Sequence, residues 1–406
     1  MRPIRLAIIF DQQLQAGGGY QQALNAAILT RELPRDLVDT VFFTTLSENV
    51  KVLATYGLKV VVVNLSFFER VRMYARKYML HRRILRWIRR FERYSPFEKR
   101  LIDHKIDLVY FLSPSGWASS LEELSYVVTV WDFCHRDEPE FPEVRWEREL
   151  ESRDRNYREI LPRASAIFVD SELSKTNAVR HYGANEERIY VMPFEASKTV
   201  RECAARGDFA GIKISEKYAL SVPYIFYPAQ FWAHKNHVYL LEGLRALEKR
   251  YSIEIGAIFA GGDRGNRAYV ESYVRKLGLE SRVRFTGFVS NEEIVELYRQ
   301  SLALVMPSYF GPTNLPPIEA FALGIPVLYP DKSGLRNQVG NAALLIDLNN
   351  PGSMADQLRC LIDDEGLRME LIIRGQEQQK ANDSVDRLEI LRSVIEDFRW
   401  RRLCWA

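Results

Sequence analysis

Short apolar runs alternate with helical patterns along almost the whole chain, and they do so in two blocks. Strands that alternate with helices favour parallel sheets covered on both faces. The first block predicts strands at Leu6–Phe10, Val41–Thr44, Lys59–Val63, Leu108–Phe111, Val127–Val130 and Ile167–Val169. The second predicts them at Tyr224–Tyr227, Ile255–Ala260, Val283–Phe285, Leu302–Met306 and Pro326–Tyr329. The sequence therefore predicts an α/β protein with two doubly wound, Rossmann-like domains.

The pattern is interrupted between the two blocks, where residues 197–221 are mixed and polar. We place the domain linker there, between an N-terminal domain at 1–196 and a C-terminal domain at 222–383. Residues 384–406 form a separate terminal segment. Its predicted helix, Ser384–Trp400, carries an apolar face that needs a partner. A chain of 406 residues is long enough for two domains of ordinary size.

Composition excludes several classes of protein. Hydrophobic residues make up 47% of the chain and charged residues 27%, which is typical of a soluble globular protein. The four cysteines are widely spaced without a CxxC pair, so neither a zinc site nor a disulfide framework is indicated. The apolar run at the start is too short for a signal peptide, and no run of about 18 apolar residues occurs. We expect a cytoplasmic protein whose membrane contact, if any, is peripheral at the inner face of the cell membrane.

The segment Pro307 to Val327 places a carboxylate inside a helix that follows a loop. The predicted strand Leu302–Met306 ends there, and open parallel sheets bind ligands at the carboxyl ends of their strands. Two consecutive prolines fit the first turn of the helix, whose free N–H groups and positive dipole end favour an anion. Glu319 could then reach ribose hydroxyls. The alternative is an acid that merely favours the start of a helix.

Lys235 follows the first predicted strand of the second domain and precedes a helix predicted over Val238–Leu244. A lysine in this position can meet a diphosphate as a point charge and stabilise a leaving group. A solvated surface lysine is the alternative.

These two segments resemble the nucleotide-sugar sites of the retaining glycosyltransferases of family 4, and among them bacterial polysaccharide and O-antigen mannosyltransferases. The family pattern Glu-x7-Glu, followed by Ala and a Gly-x-Pro turn, matches at Glu319, while Gly311 stands in place of the first acid. The family pattern Gly-Arg-x4-Lys-Asn matches at Lys235 and Asn236, while Gln230 stands in place of the arginine. The resemblance implies the GT-B fold, with two domains facing across a cleft and a C-terminal helix that crosses back to the first domain.

The resemblance also implies roles for individual residues. Asp132 stands where family members often show His-Asp, and with Lys235 and Glu319 it completes the implied catalytic set. His135 and Ser171 are implied on the acceptor side, although an ordinary loop histidine and a helix N-cap are the alternatives. The implied donor-binding residues are Gly18, Gly19, Gln230, Lys235, Asn236, Phe288, Thr313, Asn314, Leu315 and Glu319.

The expected function is that of a retaining glycosyltransferase in cell-surface polysaccharide or lipopolysaccharide synthesis. It would move a sugar, mannose or a related hexose, from a GDP- or UDP-linked donor to a glycan or a lipid-linked saccharide. We expect neither a metal ion nor a further cofactor. Two alternatives remain open: a non-catalytic nucleotide-sugar-binding protein, and a nucleotide-sugar epimerase of the same fold.

The stretch from Arg70 to Arg93 interleaves basic residues with aromatic and aliphatic ones at helical spacing. A helix of this type can lie on anionic lipid, with Trp87 and Phe91 at the interface. A helix that packs on the core and exposes its basic face is the alternative. No nucleic-acid-binding module accompanies the stretch, so we expect no nucleic acid partner.

Overall fold

The computed structural model describes residues 2–14, 18–78, 93–207, 209–311 and 313–405. The chain forms two compact units. The first contains Met1–Phe133, Leu150–Pro193 and Asp386–Ala406, and the second contains Cys134–Glu149 and Phe194–Val385.

The first unit is built on a parallel seven-stranded sheet in the order β3-β2-β1-β4-β5-β6-β7. Its strands are β1 Ile4–Phe10, β2 Val38–Thr44, β3 Val60–Val62, β4 Leu108–Phe111, β5 Ser125–Val130, β6 Ala166–Val169 and β7 Ile189–Val191. Its longer helices are Gly18–Leu29, Asn49–Thr55, Phe67–Tyr78, Pro96–Asp103, Glu149–Ile160, Glu172–Tyr182 and Arg387–Arg401. The sequence did not predict β7, which is only three residues long.

The second unit is built on a parallel six-stranded sheet in the order β10-β9-β8-β11-β12-β13. Its strands are β8 Tyr224–Pro228, β9 Gly256–Ala260, β10 Val283–Gly287, β11 Ala303–Val305, β12 Val327–Pro330 and β13 Leu344–Ile346. Its helices are Cys134–Asp137, Pro142–Arg145, Lys198–Arg206, Ile214–Lys217, His237–Tyr251, Arg267–Leu277, Asn291–Arg299, Leu315–Ala322, Arg336–Val339, Pro351–Asp363 and Glu365–Asp383.

The central strands of both sheets are mostly buried, as expected for parallel sheets covered on both faces. Ile225, Phe226 and Tyr227 of β8 and Ala7 to Ile9 of β1 have no exposed surface. The described core clusters each lie within one unit. The predicted α/β architecture of two Rossmann-like domains is confirmed, and each unit has its own core.

Residues 197–221, where we placed a linker, form part of the second unit. The Ser197 hydroxyl caps the helix Lys198–Arg206 by accepting a hydrogen bond from the Val200 amide. Val200 and Ile214 are fully buried, and the Arg299 guanidinium lies 3.7 Å from the centre of the Phe209 ring. The polar composition concealed these anchors, because a few spaced apolar residues are enough to fix a short amphipathic helix.

The segment Asp386–Ala406 belongs to the first unit. On the helix Arg387–Arg401, the apolar face that the sequence predicted is buried in the same cluster as β1 and β2 through Leu391, Val394, Ile395 and Phe398. The Arg387 Nε donates a hydrogen bond of 2.8 Å to the Pro193 carbonyl. The face therefore finds its partner on the first sheet.

The helix Phe67–Tyr78 contains the beginning of the basic stretch. Residues 79–92, with Trp87 and Phe91, lie outside the described residues. Within the described part of the chain, no helix combines the length and the apolar character needed to cross a membrane.

Candidate functional site

The loops after β8 and β11 meet at the carboxyl edge of the second sheet. These strands are parallel neighbours, so their carboxyl ends lie side by side. The Lys235 ammonium, on the first loop, donates to Ser308 Oγ and to Asn314 Oδ1 on the second, at 3.4 Å in each case. The structure thus brings together two of the predicted donor-binding residues, Lys235 and Asn314. We call the loops Gln230–Asn236 and Pro307–Asn314 the lysine loop and the asparagine loop.

The backbone of the lysine loop explains the residue after Lys235. Asn236 has φ 55° and ψ 42°, a left-handed conformation that asparagine tolerates better than most residues. It joins the short 3-10 turn Ala233–Lys235 to the helix that starts at His237. Tyr227, buried in β8, donates from its hydroxyl to the Lys235 carbonyl at 3.0 Å. The ammonium is therefore carried by a loop whose backbone is fixed from below.

His237 is the first residue of that helix and is completely buried. Its ring stacks on Phe231, with centroids 4.5 Å apart and an interplanar angle of 20°. Burial, assisted by the positive charge of Lys235, lowers the pKa of His237 to about 3. The imidazole is therefore neutral at physiological pH, and the ammonium of Lys235 supplies positive charge at this position.

Asn314 is held in place by a network of polar side chains that the sequence did not reveal. Its side-chain amide donates to the Tyr329 hydroxyl at 2.7 Å and to the Gly311 carbonyl at 2.7 Å. Its backbone N–H donates to Gln338 Oε1 at 2.9 Å, and the Tyr329 hydroxyl donates to the same oxygen at 2.8 Å. The orientation of Oδ1 toward Lys235 is thus fixed by residues from β12 and from the helix Arg336–Val339.

Gly311 stands where the resemblance puts an acidic residue. Its φ of +109° is strained for any residue with a side chain. A Cβ atom added there would lie 2.6 Å from Asn314 Oδ1 and 2.9 Å from its Nδ2. The asparagine loop therefore has no room for a carboxylate at this position unless Asn314 moves.

Glu319 is the fifth residue of the helix Leu315–Ala322 and is only 8% exposed. Burial raises the pKa of Glu319, and hydrogen bonds from Tyr298 and from Ser197 act in the opposite direction. The Tyr298 hydroxyl donates to Oε2 at 3.0 Å. The carboxyl group is thus held rigidly by its neighbours, and its predicted ribose contact remains a prediction.

The other predicted donor-binding residues of the second unit differ in their surroundings. Gln230 accepts a hydrogen bond of 3.1 Å from the Trp232 indole. Thr313 is half-buried beside Asn314, and Leu315 is the first residue of the following helix. Phe288, after β10, is 76% exposed. Gln230, Thr313 and Leu315 lie on or next to the two loops, and Phe288 is presented to solvent.

The predicted site residues of the first unit have protein partners of their own. Asp132 forms an ion pair with Arg153 at 2.7 Å, with both side chains about 30% exposed. Ser171 caps the helix Glu172–Tyr182 by accepting from the Ser174 amide at 3.2 Å, which is the alternative considered for it above.

Gly18 is the first residue of the helix Gly18–Leu29, and Gly19 is the second. At Gly19, an added Cβ would lie 2.7 Å from the Trp131 ring. The close approach that glycine permits at this position is therefore made by an indole of the same unit. Donor binding by Gly18 and Gly19 remains a prediction.

His135 lies in the second unit, whereas Asp132 lies in the first. It is completely buried in the helix Cys134–Asp137. The structure therefore does not unite Asp132 and His135 within one unit, although only two residues separate them in the sequence.

Residues Cys134–Glu149, which we call the arm, pack in the second unit and contact both loops. The Glu143 carboxylate accepts a hydrogen bond of 2.9 Å from the His234 amide and a close one from the His234 ring. Both side chains are about 10% exposed. Burial acts to raise the pKa of Glu143, but the hydrogen bonds from His234 prevail and lower it. The arm thus holds the residue directly before Lys235.

Aromatic contacts extend this connection to the asparagine loop. The His234 ring stacks on Phe310 with centroids 3.8 Å apart, and Phe141 of the arm packs against Tyr309 and Phe310 at 5.2 and 5.7 Å. Glu138 of the arm forms an ion pair with Lys332, whose ammonium also donates to the Tyr309 carbonyl at 2.9 Å. No sequence motif pointed to these contacts.

Within the described ranges, no group of three or more His, Cys, Asp or Glu side chains is arranged to hold a metal ion. That the protein needs no metal or cofactor remains a prediction.

Comparison with known proteins agrees with this geometry. Residues 212–378, most of the second unit, match the family model described as glycosyl transferases group 1. The chain is 28% identical over 261 residues to a D-inositol 3-phosphate glycosyltransferase from Corynebacterium diphtheriae, covering 61% of this chain and 60% of that protein. It is 23% identical over 240 residues to the O-antigen chain mannosyltransferase B of Escherichia coli, covering 59% and 62%. The chain thus spans about three fifths of the length of these curated relatives.

Among solved structures, Anabaena HepE in complex with UDP and glucose aligns with a TM-score of 0.70 at 15% identity, covering 98% of this chain and all of that one. The chain has the GT-B fold. The fold prediction is confirmed, and the family match and the named relatives support the prediction of a transferase enzyme. As a GT-B protein, the chain has its lysine and asparagine loops inside the matched segment.

Proposed function

We propose that the protein is a retaining glycosyltransferase that takes its sugar from a nucleoside diphosphate donor. The observation that carries the proposal is the meeting of Lys235 with Asn314 and Ser308 at the carboxyl edge of the second sheet. The match of residues 212–378 to glycosyl transferases group 1 supports it.

The chemistry of the two loops suits a diphosphate leaving group. The developing negative charge on a departing nucleoside diphosphate is stabilised by a fixed cation and by helix N-termini. Lys235 precedes the N-terminus of the helix His237–Tyr251, and Asn314 precedes that of the helix Leu315–Ala322. Because the amide network fixes Asn314, and Ser308 and Asn314 accept hydrogen bonds from the Lys235 ammonium, both groups are oriented before a ligand arrives.

For the donor, GDP-mannose and UDP-glucose are the conjugates to test first. The relative from Escherichia coli is named a mannosyltransferase, and HepE was solved with UDP and glucose. For the acceptor, we propose a glycan or lipid-linked saccharide used in cell-surface polysaccharide synthesis. D-inositol 3-phosphate belongs in the acceptor panel because relatives carry it in their names.

Calorimetric titration of UDP, GDP and these two conjugates tests the donor site. Lys235→Ala should weaken binding of the preferred nucleotide about tenfold or more, because a charged hydrogen bond to phosphate is lost. Lys249→Ala, which removes an exposed lysine of the same unit, should bind like the wild type. If no nucleotide binds, or if the two variants behave alike, the donor site is wrong.

Turnover separates the proposed reaction from its two alternatives. Release of nucleoside diphosphate that requires an acceptor, with the anomeric configuration retained in the product by NMR, would establish a retaining transferase. The replacements at Gly311 and Gln230 favour a non-catalytic binder as the second candidate, and tight donor binding without turnover on any acceptor would select it. Consumption of donor without acceptor would select an epimerase.

A further inference from the structure

A basic cavity opens at the amino-terminal edge of the first sheet. Its volume is about 640 Å³. It lies where β1, β2 and β4 begin, whereas ligands of open parallel sheets bind at the carboxyl ends. The predicted site does not include any of its lining residues, which are Arg2, Pro3, Arg5, Asp39, Ile102, Lys105, Ile106, Asp107 and Arg402.

The cavity is organised around one buried carboxylate, Asp107, which is 2% exposed. Arg2 binds it in bidentate geometry at 2.5 and 2.7 Å, and Arg402 binds it at 2.7 Å. It also accepts a hydrogen bond of 3.0 Å from the Arg5 backbone amide. Two guanidinium groups are thus held in place by a single negative charge, and the carboxylate is occupied by its partners.

The remaining charges add to the positive excess. Arg5 contacts Asp39 at 3.2 Å, and these side chains are 38% and 54% exposed, so the pair is a weak one. The Lys105 ammonium makes no ion pair with any side chain in the described part of the chain. Four cationic and two carboxylate side chains leave the lining with a net charge of +2.

Lys105 has a backbone conformation that costs stability. Its φ is +59°, just after the helix Pro96–Asp103, where glycine or asparagine is the usual residue. A lysine there destabilises the fold relative to a residue that adopts this conformation freely. Lys105 therefore lies at the cavity although its backbone conformation destabilises the fold.

We propose that this cavity binds a phosphate-bearing anion. Its volume is that of a small-molecule site, and guanidinium groups match the geometry of phosphate oxygens. Ile102, Ile106 and Pro3 provide an apolar wall for the organic part of such a ligand. A soluble phosphate ester and the phosphomonoester headgroup of a lipid share this chemistry. The site is independent of the donor site and does not rest on the proposed transferase activity.

Two binding assays, both with the full chain, test the site and identify the source of the phosphate. In the first, pyrophosphate is titrated calorimetrically at low ionic strength into each protein with and without Lys235→Ala, because the donor site also suits a diphosphate. In the second, the protein is sedimented with phosphatidylcholine vesicles that contain or lack phosphatidic acid. In whichever assay the wild type binds, Lys105→Asn and Arg402→Gln should each lower the affinity for the phosphate probe about tenfold. Lys51→Asn, an exposed lysine of the same unit outside the cavity, is the matched control.

Lys105→Asn keeps the result interpretable, because asparagine accepts the left-handed conformation and should leave the melting temperature unchanged or raised. Binding to pyrophosphate would identify a soluble ligand, and binding only to phosphatidic acid vesicles would identify a lipid headgroup. Either kind of binding supports the site if both variants weaken it and Lys51→Asn does not. Two results would overturn the proposed site. The first is that the wild type binds in neither assay, and the second is that the two variants bind as tightly as the control.

Discussion

At the scale of single residues, Gly311 shows why a departure from a family pattern can be structural. The resemblance places an acidic residue there, yet the positive φ and the nearness of Asn314 leave no space for a side chain. Asn314 in turn presents its Oδ1 to Lys235. The position of the Asn314 side chain therefore requires a glycine at 311. If Asn314 moves, the Lys235 ammonium loses one of its hydrogen-bond acceptors.

Gly311→Ala tests this dependence. The variant should lose about 1–3 kcal/mol of stability from backbone strain, and it should also weaken nucleotide binding because Asn314 is displaced. Gly278→Ala is the matched control: its φ is +66°, but no atom lies within 4 Å of the added Cβ. Thermal melts and calorimetric titration of the preferred nucleotide measure the two effects. Equal nucleotide affinity in both variants would contradict the role assigned to Gly311.

The sequence placed Lys235 and Asn314 on two loops that the structure brings together, but it did not reveal the residues that orient them. Lys235 follows a recognisable apolar strand, and Asn314 precedes a proline-marked helix start. Glu143, however, is 91 positions away from its partner His234. No periodicity or motif spacing in the sequence indicates a contact between residues so far apart, because the contact forms only when the arm packs against the lysine loop.

At the scale of secondary-structure elements, the arm connects the two loops of the candidate site. Its Glu143 holds His234, and its Phe141 packs on Tyr309 and Phe310. The strands around these loops were predicted within a few residues, since each is an apolar run long enough to recognise. Strands β7 and β13 and the helices at 197–221 were not predicted.

Glu143→Gln should destabilise the protein by about 1–3 kcal/mol at neutral pH, because a buried charge-assisted hydrogen bond is lost. It should also weaken nucleotide binding, since His234 precedes Lys235. Glu140→Gln, an exposed acid of the same arm, is the control and should change neither quantity. Denaturant unfolding and calorimetry provide the measurements.

The pH dependence of this difference follows from the direction of the pKa shift. The pKa of Glu143 is lower in the folded protein than its ordinary value of 4.5, so the carboxylate contributes stability above that pH. The contribution is lost as the pH falls through the lowered pKa. The stability difference between wild type and Glu143→Gln should therefore shrink as the pH falls below 4.5. A difference that does not shrink when the carboxylate is titrated would contradict the lowered pKa of Glu143.

At the scale of the whole molecule, the chain order and the units do not coincide. Residues 386–406 follow the second unit in sequence but complete the core of the first. The arm interrupts the first unit in sequence but packs in the second. The alternation of strands and helices predicted two domains, whereas the return of the final helix was implied by the resemblance to GT-B proteins and could not be read from its apolar face alone.

This organisation predicts which regions respond to a cavity in the last helix. Phe398 is 6% exposed in the cluster that contains β1 and β2, and Phe398→Ala should cost about 3 kcal/mol. Because no described core cluster mixes the units, hydrogen exchange should accelerate in β1 and β2 and stay unchanged in β8 and β9. Leu358→Ala, at a fully buried position of the second unit, should give the reverse pattern. If Phe398→Ala accelerated exchange in β8 and β9 as much as in β1, the final helix would be stabilising both cores, and the assignment of residues 386–406 to the first unit alone would fail.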